Sequence, residues 1–140
     1  MATYNTSLAI EFLPFTSIAT ASDASELIER AHRPNVGMCI DSWHVFRGAG
    51  LESLANLEAE HVVSIQLNDG PLQPVLENYV DDCLHHREVI GDGEFDLAAF
   101  MALLPGGLPL SIEVPDDDLD LLAPDDVAQR LAAATRLLVR

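Results

Sequence analysis

Four short apolar runs recur along the chain, separated by longer stretches in which apolar residues recur every three or four positions. Each run has the length of a β-strand and is close to continuously apolar, without regular alternation of polar residues. This pattern is typical of strands that are buried on both faces, as in parallel sheets. The predicted strands are 8–12, 36–41, 62–67 and 108–114.

Helical patterns lie between and after the predicted strands. We expect Ser22 to cap a helix over Asp23–Ala31, and Asp96 to begin a helix that ends before Pro105. Strands that alternate with helices in this way predict right-handed βαβ units and therefore an α/β fold with a parallel sheet. The two remaining helical stretches are 51–57 and 125–138.

The connection between the third and fourth predicted strands is long, running from 71 to 95. Connections of this length are usually functional or partly helical. Residues 74–86 could hold a helix, and Gly91–Gly93 is typical of a tight turn. The chain contains no linker or convincing repeat, so the sequence predicts one domain over residues 1–140.

Composition narrows the class of protein. The 140 residues include 23 acidic and 7 basic side chains, a formal charge of −16, which argues against binding nucleic acid or an anionic membrane. Every basic residue is an arginine, so lysine chemistry such as Schiff-base formation is excluded. Cys39 and Cys83 form no CxxC pattern, and no apolar run approaches the roughly 20 residues of a membrane span. We therefore expect a cytoplasmic protein with reduced thiols.

A polar side chain stands at or near the carboxyl end of every predicted strand. Active sites of parallel α/β proteins are built at that end of the sheet. Carboxylates that meet there repel one another unless they take up protons or bind a cation, and oxygen ligands suit Mg²⁺ or Mn²⁺. The alternative is that each residue caps a helix or serves a loop hydrogen bond. The candidate metal ligands are Glu11, Asp41, Gln66 and Glu113.

Three further residues are candidates for contact with a substrate. His44 could ligate a metal, donate a hydrogen bond, act as a general acid, or lie exposed in a loop. Arg87 could clamp an anionic or polyhydroxylated substrate, or it could pair with one of the many acidic residues. Trp43 could form the floor of a substrate pocket, or it could pack between helices.

Five short segments carry these residues in order: Glu11–Phe15, Asp41–His44, Gln66–Gly70, Arg87 with Gly91–Asp96, and Ser111–Val114. In series they resemble the C-terminal half of the xylose isomerase-like TIM barrels. This superfamily includes sugar phosphate isomerases and epimerases, inosose and dehydroshikimate dehydratases, and type-IV AP endonucleases. The endonuclease activity fits poorly with a strongly acidic chain.

The resemblance implies roles for individual residues. It implies that Glu11 and Glu113 act as catalytic acid and base, and that His44 and Arg87 contact the substrate. Epimerases of the superfamily typically carry histidine where this chain has Gln66, whose amide resembles the dehydratase-type members. The implied metal ligands on strands five to eight are Glu11, Asp41, Gln66 and Glu113.

The resemblance also implies an activity. A sugar isomerase or epimerase would remove a proton next to a carbonyl of a small polyhydroxylated ketose or ketose phosphate, with Mn²⁺ or Mg²⁺ as cofactor. Two alternatives stay open. One is a metal-dependent dehydratase of a cyclitol or dehydroshikimate-like substrate, and the other is a non-catalytic half of a barrel.

The chain is short for the implied fold. A (β/α)₈ barrel takes about 250 residues, and only four strands are predicted here. A half-barrel would leave two open sheet edges and an uncovered apolar inner face, which favours association. We therefore expect either a homo-oligomer or a missing N-terminal half.

Overall fold

The four apolar runs form four parallel strands. The structure is a computed structural model that describes residues 6–139. Within these residues one sheet has the order β1-β2-β3-β4, with every neighbouring pair parallel, so the predicted α/β architecture is confirmed. The strands are β1 (Leu8–Glu11), β2 (Val36–Asp41), β3 (Val62–Leu67) and β4 (Leu110–Ile112).

Helices connect the strands and follow the last one. The amphipathic stretch at the end of the chain and the helix capped by Asp96 form as predicted, and part of the long connection is helical. Single 3₁₀ turns lie at Leu51–Leu54, Ala59–His61 and Leu119–Leu121. The helices are α1 (Ala21–Ala31), α2 (Ser42–Phe46), α3 (Tyr79–His85), α4 (Leu97–Leu103) and α5 (Pro124–Leu138).

The cap of α1 differs from the prediction, because Thr20 caps the helix and Ser22 does not. The Thr20 hydroxyl accepts from the Asp23 amide at 3.2 Å, and the Asp23 carboxylate accepts from the Thr20 amide at 2.9 Å. This reciprocal capping box satisfies amides that the first helical turn leaves unpaired. The hydrogen bond from the Thr20 hydroxyl, with those from the amides of Ala19 and Thr20, lowers the pKa of Asp23.

The prediction of a helix over residues 51–57 is wrong, because the helix of this region lies earlier in the chain. Residues 42–46 form α2 directly after β2, with the Asp41 carboxylate accepting from the Trp43 amide at 2.7 Å. Residues 51–57 contain only the short 3₁₀ turn. Its preceding residue, Gly50, has φ 75° and supplies no side-chain cap, so a regular helix is not initiated there.

The two faces of the sheet differ in chemistry. On one face, strand residues such as Met38 and Ile65 are fully buried against Ala24 of α1 and Phe100 of α4. The strands are therefore not apolar on both faces, and the expected uncovered apolar inner face is wrong. Alternation of side chains along each strand places small or polar residues on the opposite face. These residues are Ala9, Gly37, Cys39, Ser64 and Ser111.

The sequential order of parallel βα units is that of half a closed barrel. Within the described residues β1 and β4 each pair on one side only, and Leu8 at the start of β1 is 59% exposed. The carboxyl ends of all four strands lie at one edge, where the candidate site forms. None of the helices in residues 6–139 has the length and apolar character needed to cross a lipid bilayer.

The capping box of α1 supports a stability prediction. Replacing Thr20 with alanine removes one hydroxyl acceptor and should lower the free energy of unfolding by about 1 kcal/mol, measured by urea denaturation. Ser22→Ala is the matched control, because Ser22 is exposed in the first turn and should change stability by less than about 0.5 kcal/mol. Equal losses in both variants would contradict the assignment of the cap.

Candidate functional site

Four strand ends bring the predicted ligands to one edge of the sheet. Glu11 is the last residue of β1, Asp41 the last of β2, and Glu113 follows β4. Asp41 lies beside Gln66 in the β2–β3 register, and the Glu113 amide donates to the Leu67 carbonyl at 3.1 Å. The backbone ladder therefore sets the order of these side chains along the edge.

Arg87 lies between two of the carboxylates. Its Nη1 donates to Oδ2 of Asp41 at 2.9 Å and to Oε2 of Glu113 at 3.0 Å. The guanidinium is held from behind, since Nε donates to the Cys83 carbonyl at 3.0 Å and Nη2 contacts the Cys83 thiol at 3.0 Å. The alternative that Arg87 pairs with acidic residues is thus confirmed. Its role as a substrate clamp stays a prediction.

Asp41 is the most enclosed of the acidic residues. It is fully buried, and its Oδ1 accepts from the Trp43 amide at 2.7 Å and from Nδ2 of Asn68 at 2.9 Å. Asn68 is in turn fixed by Ser42, whose hydroxyl donates to the Asn68 carbonyl at 2.8 Å. These contacts set the direction of the Asp41 carboxylate before any ligand arrives.

His44 lies in α2 and faces Glu11. The alternative of an exposed loop histidine is wrong, because the side chain is only 3% exposed. Its Nε2 lies 3.1 Å from Oε1 of Glu11, and its Nδ1 lies 3.0 Å from the Tyr79 hydroxyl. The one-turn helix that begins after Asp41 therefore turns this imidazole back toward the end of β1.

Gln66 contacts a thiol beside the site. Its Oε1 accepts from the Cys39 thiol at 3.1 Å, two residues before Asp41 on the neighbouring strand. Burial raises the pKa of Cys39 to about 11, so this thiol stays protonated and keeps its role as a donor. The Gln66 carbonyl oxygen has a second lone pair, so its contact with Cys39 is compatible with the predicted role as a ligand.

Glu113 has an altered protonation equilibrium. Burial raises the pKa of its carboxyl, and the negative charges of Asp41 and Glu11 add to that rise, while Arg87 opposes it. With Glu11, Asp41 and Glu113 ionised, one guanidinium leaves the cluster with two unpaired negative charges. This charge suits a single divalent cation.

Two ligand sets for such a cation can be named. The strand-end set, which comprises Glu11, Asp41, Gln66 and Glu113, is the one predicted from the sequence, and it stays a prediction. A second set comprises Glu11, Asp41 and His44, which offer ligand atoms that all lie within 4.8 Å of one another. Oxygen atoms with at most one imidazole nitrogen fit a hard divalent ion in either case.

Trp43 lies beneath the site, and its environment is that of a packing residue. Its ring is fully buried, with the guanidinium of Arg47 at 5.0 Å, that of Arg87 at 5.6 Å, and the Phe95 ring edge-on at 5.9 Å. The geometry does not bring Trp43 to a substrate, so it offers no support for the predicted contact.

Buried carboxylates hold the long connection that carries Arg87. Asp82 pairs with Arg47 and accepts from the amides of Val75 and Leu76 at 2.9 and 3.0 Å. Asp69 accepts from the amides of Gly91 and Phe95 at 2.9 and 3.0 Å. This region, apart from α3, has little regular structure, and these contacts give it a defined course.

A cavity of about 210 Å³ opens beside the cluster. Charged and polar groups form one part of its lining, and apolar side chains from the loop after β1 and from α3 form another part, here called the apolar rim. The rim residues are Leu13, Phe15, Val80 and Leu84.

Sequence reasoning missed Tyr79, Cys83 and Asn68. Asn68 follows directly after β3, and its position could have marked it as a strand-end residue. Cys83 precedes Arg87 by four residues, but α3 ends at His85, so helical spacing does not indicate this contact. Nothing in the sequence indicates Tyr79, because only the folded connection brings it beside His44.

Comparison with known proteins assigns the family. The family model described as xylose isomerase-like TIM barrel matches residues 1–138. The chain belongs to this family. It is 34% identical over 104 residues to a 3-dehydroshikimate dehydratase of Pseudomonas aeruginosa, covering 71% of this chain and 16% of the relative. It is 28% identical over 104 residues to an inosose isomerase of Bacillus subtilis, covering 72% and 36%.

Solved structures agree with this xylose isomerase-like TIM barrel fold. The IolI protein with a bound zinc atom superimposes with a TM-score of 0.81 at 24% identity, covering 95% of this chain and 49% of that protein. An L-ribulose 3-epimerase superimposes with a TM-score of 0.62 at 18% identity, covering 94% and 46%. At these identities the likeness shows the fold alone. The chain spans less than half of the length of each of these four proteins.

Proposed function

We propose that the chain forms the metal-binding and acid–base half of a sugar isomerase or epimerase. The reaction removes a proton next to the carbonyl of a small polyhydroxylated ketose. The observation that carries the proposal is the convergence of Glu11, Asp41, Gln66 and Glu113 at one edge of a parallel sheet. The named relatives, an isomerase, a dehydratase and an epimerase, support a reaction of this kind.

The cofactor in this proposal is Mn²⁺ or Mg²⁺, held by the strand-end set. A divalent cation fits because the cluster retains two unpaired negative charges, and the zinc atom bound by the IolI protein supports a metal in a protein of this fold. When bound, the cation would polarise the substrate carbonyl and its neighbouring hydroxyl.

Glu11 and Glu113 each carry out one of the two proton transfers. One glutamate takes the proton from the carbon beside the carbonyl, and the other returns a proton to complete isomerisation or epimerisation. The raised pKa of Glu113 favours it as one of the residues that exchange a proton with the substrate. His44, 3.1 Å from Glu11, supports the orientation of that carboxylate and contacts the substrate.

Dehydration is the second candidate reaction. It begins with the same proton abstraction and ends with loss of the β-hydroxyl of a cyclitol or dehydroshikimate-like substrate. Two observations favour it: the 34% identity to a 3-dehydroshikimate dehydratase, and the amide of Gln66 where epimerases typically carry histidine.

In this proposal, the part of the substrate that this half-barrel binds is uncharged. Arg87 pairs with Asp41 and Glu113, and Arg47 pairs with Asp82. Neither guanidinium is therefore available for a phosphate without breaking a buried ion pair, which is costly. The apolar rim of the cavity suits the carbon face of a sugar or cyclitol ring.

The proposal includes a second half-barrel that completes the pocket, supplied by another copy of the chain or by an N-terminal half. The edges of β1 and β4 support it, because each leaves one row of backbone groups unpaired within the described residues. We do not expect nucleic acid or membrane partners for a chain with a formal charge of −16.

Metal binding is the first test. Mg²⁺ or Mn²⁺ at 100 times its Kd should stabilise the protein by about 2.7 kcal/mol and raise the Tm by about 5–10 °C relative to EDTA. Glu113→Gln should abolish this rise. Glu58→Gln is the matched control, because Glu58 belongs with Glu60 and His61 to a separate group of possible ligands at the surface. It should keep the full rise if the metal binds at the strand ends. If neither metal changes the Tm of the wild type, the alternative of a non-catalytic barrel half is favoured.

Proton abstraction is the second test. Incubation of the protein with Mg²⁺ and a ketose or inosose in D₂O should place deuterium at the carbon beside the carbonyl, measured by proton NMR. Glu11→Gln and Glu113→Gln should each reduce this exchange by at least about 100-fold. Metal binding without any exchange across a panel of such substrates would favour the non-catalytic barrel half.

Assembly is the third test. Light scattering after size-exclusion chromatography should give a mass of at least two chains, because the open edges of β1 and β4 favour pairing. A compact, folded species with the mass of one chain at low concentration would contradict association and point instead to a separate N-terminal half.

A further inference from the structure

Phe15 is half exposed at the apolar rim of the cavity beside the carboxylate cluster. The residue is 50% exposed, and it lines the cavity of about 210 Å³ together with Glu11, Arg87 and Glu113. Single exposed apolar residues are common on protein surfaces, so the exposure alone indicates no role. The position of an aromatic ring next to the polar groups of the candidate site is the feature that requires an explanation.

The loop after β1 holds Phe15 in a fixed place. The Leu13 amide donates to the Ile18 carbonyl at 2.9 Å, and the Thr16 amide donates to the Leu13 carbonyl at 2.9 Å. The Ile18 amide donates to the Thr16 hydroxyl at 3.2 Å, so a side chain of the loop closes it from within. Phe12, at the start of the loop, is buried in the core. A ring presented by such a closed loop loses little conformational freedom when a ligand contacts it.

Neighbouring side chains support the Phe15 ring without covering it. The Tyr79 ring lies against it with a centroid distance of 5.2 Å and an angle of 49° between the ring planes. The Tyr79 hydroxyl lies 3.0 Å from Nδ1 of His44, which anchors this aromatic pair beside the candidate site. Val80 and Leu84 lie one turn apart on α3, line the same cavity and are also exposed. Part of the Phe15 ring therefore stays open to a ligand within the described residues.

The cavity offers two kinds of surface to one ligand. Its carboxylates and guanidinium suit hydroxyl groups, whereas the Phe15 ring suits hydrogens that are bound to carbon. A closed polyol ring with equatorial hydroxyl groups has both kinds of surface, because its hydroxyls lie around the edge and its axial hydrogens form an apolar patch on each face. An open-chain ketose has no such continuous patch, because its hydroxyls leave the chain on several sides.

The polar lining of the cavity also distinguishes a small ligand from a protein partner at this ring. The cores of protein interfaces are depleted in charged residues. Phe15 shares its cavity with Glu11 and Glu113, which belong to a cluster that retains two unpaired negative charges. Apolar and aromatic groups combined with a few polar groups are typical of small-molecule pockets.

We propose that Phe15 is a substrate-contacting residue that selects the closed ring of a polyhydroxylated substrate over an open chain. The aromatic ring packs on the carbon face of the substrate, and the substrate hydroxyls reach the polar groups at the strand ends. The selection depends on apolar contact and requires no change of protonation in the protein. The inference rests on the proposed function, because it names the substrate class of the same site.

The test compares two probes by proton NMR titration of the full chain with Mg²⁺. scyllo-Inositol is the ring probe, because all its hydroxyls are equatorial. Erythrulose is the open-chain probe, because a four-carbon 2-ketose cannot close a five- or six-membered ring. The wild type should bind scyllo-inositol more tightly. Phe15→Ser should raise the Kd of scyllo-inositol by about fivefold to tenfold and that of erythrulose by less than about twofold.

Two variants keep part of the Phe15 side chain. Phe15→Tyr keeps the ring and should bind scyllo-inositol within about twofold of the wild type. Phe15→Leu keeps an apolar group but removes the ring, so it should abolish the upfield shift that an aromatic face gives to the protons of bound scyllo-inositol. This shift provides the test even where Phe15→Ser does not fold.

Leu121→Ser is the matched control for the loss of an exposed apolar side chain. Leu121 is 82% exposed and lies in the 3₁₀ turn after β4. Its replacement should leave both Kd values unchanged. A loss of scyllo-inositol binding that is confined to Phe15→Ser separates contact with the ligand from a general change in the surface.

Four results would overturn the inference: no binding of scyllo-inositol to the wild type, equal affinity for both probes, an equal loss of both probes in Phe15→Ser, or a bound-state shift that Phe15→Leu retains. An equal loss together with a smaller mass in light scattering would assign Phe15 to assembly. The expected losses without deuterium exchange in any substrate support this inference and overturn the proposed catalysis. Deuterium exchange in a ketose, with probe affinities that Phe15→Ser leaves unchanged, overturns this inference alone.

Discussion

The candidate site depends on one buried guanidinium shared by two carboxylates. Asp41 has no exposed surface, and an ionised carboxylate in such a place is unstable without a partner. Arg87 supplies that partner and extends the same Nη1 to Glu113, across the strand that separates β2 from β4. Since the guanidinium neutralises only one of three negative charges, the cluster is stable enough to fold and still complements a divalent cation.

The long connection after β3 brings this guanidinium to the strand ends. The segment has little regular secondary structure, and buried carboxylates hold it together with an isolated antiparallel bridge between Asp69 and Glu88. Asp69 and Asp82 each accept from two backbone amides across the connection, and Asp82 also pairs with Arg47. Gly93 passes so close to Asp69 that a Cβ would lie 2.3 Å from Oδ1, so glycine is required there.

The apolar residues that stabilise the fold and the candidate site residues lie on opposite faces of the sheet. Buried residues such as Ile40 and Leu67 pack against the helices, and this apolar layer supplies the burial that favours folding. The other face carries small and polar side chains that end in the carboxylate cluster. In a xylose isomerase-like TIM barrel this second face lines the interior, which explains why it can carry ligands at little cost to the core.

Much of the architecture was predictable from the sequence, because apolar periodicity and capping residues act over a few positions. The four strands, the parallel order and the helix capped by Asp96 follow from such local signals. The place of Glu11, Asp41, Gln66 and Glu113 at one edge also follows, since parallel strands end on the same side. The capping box of Thr20 was equally local, but aspartate in place of the usual glutamate or glutamine concealed it.

Contacts between segments that are distant in sequence could be identified only from the tertiary structure. The pairing of Arg87 with Asp41 spans 46 positions, and the contact of Tyr79 with His44 spans 35. The guanidinium of Arg87 that lies 5.6 Å from the Trp43 ring likewise comes from a distant part of the chain. The sequence by itself determined which polar residues stand at the strand ends, because the apolar runs that define each strand are local. Only the tertiary structure decided that the Arg87 guanidinium contacts Asp41 and that the Tyr79 hydroxyl contacts His44. The long connection that carries Arg87 and Tyr79 could reach many partners, and the packing of the core selects one arrangement.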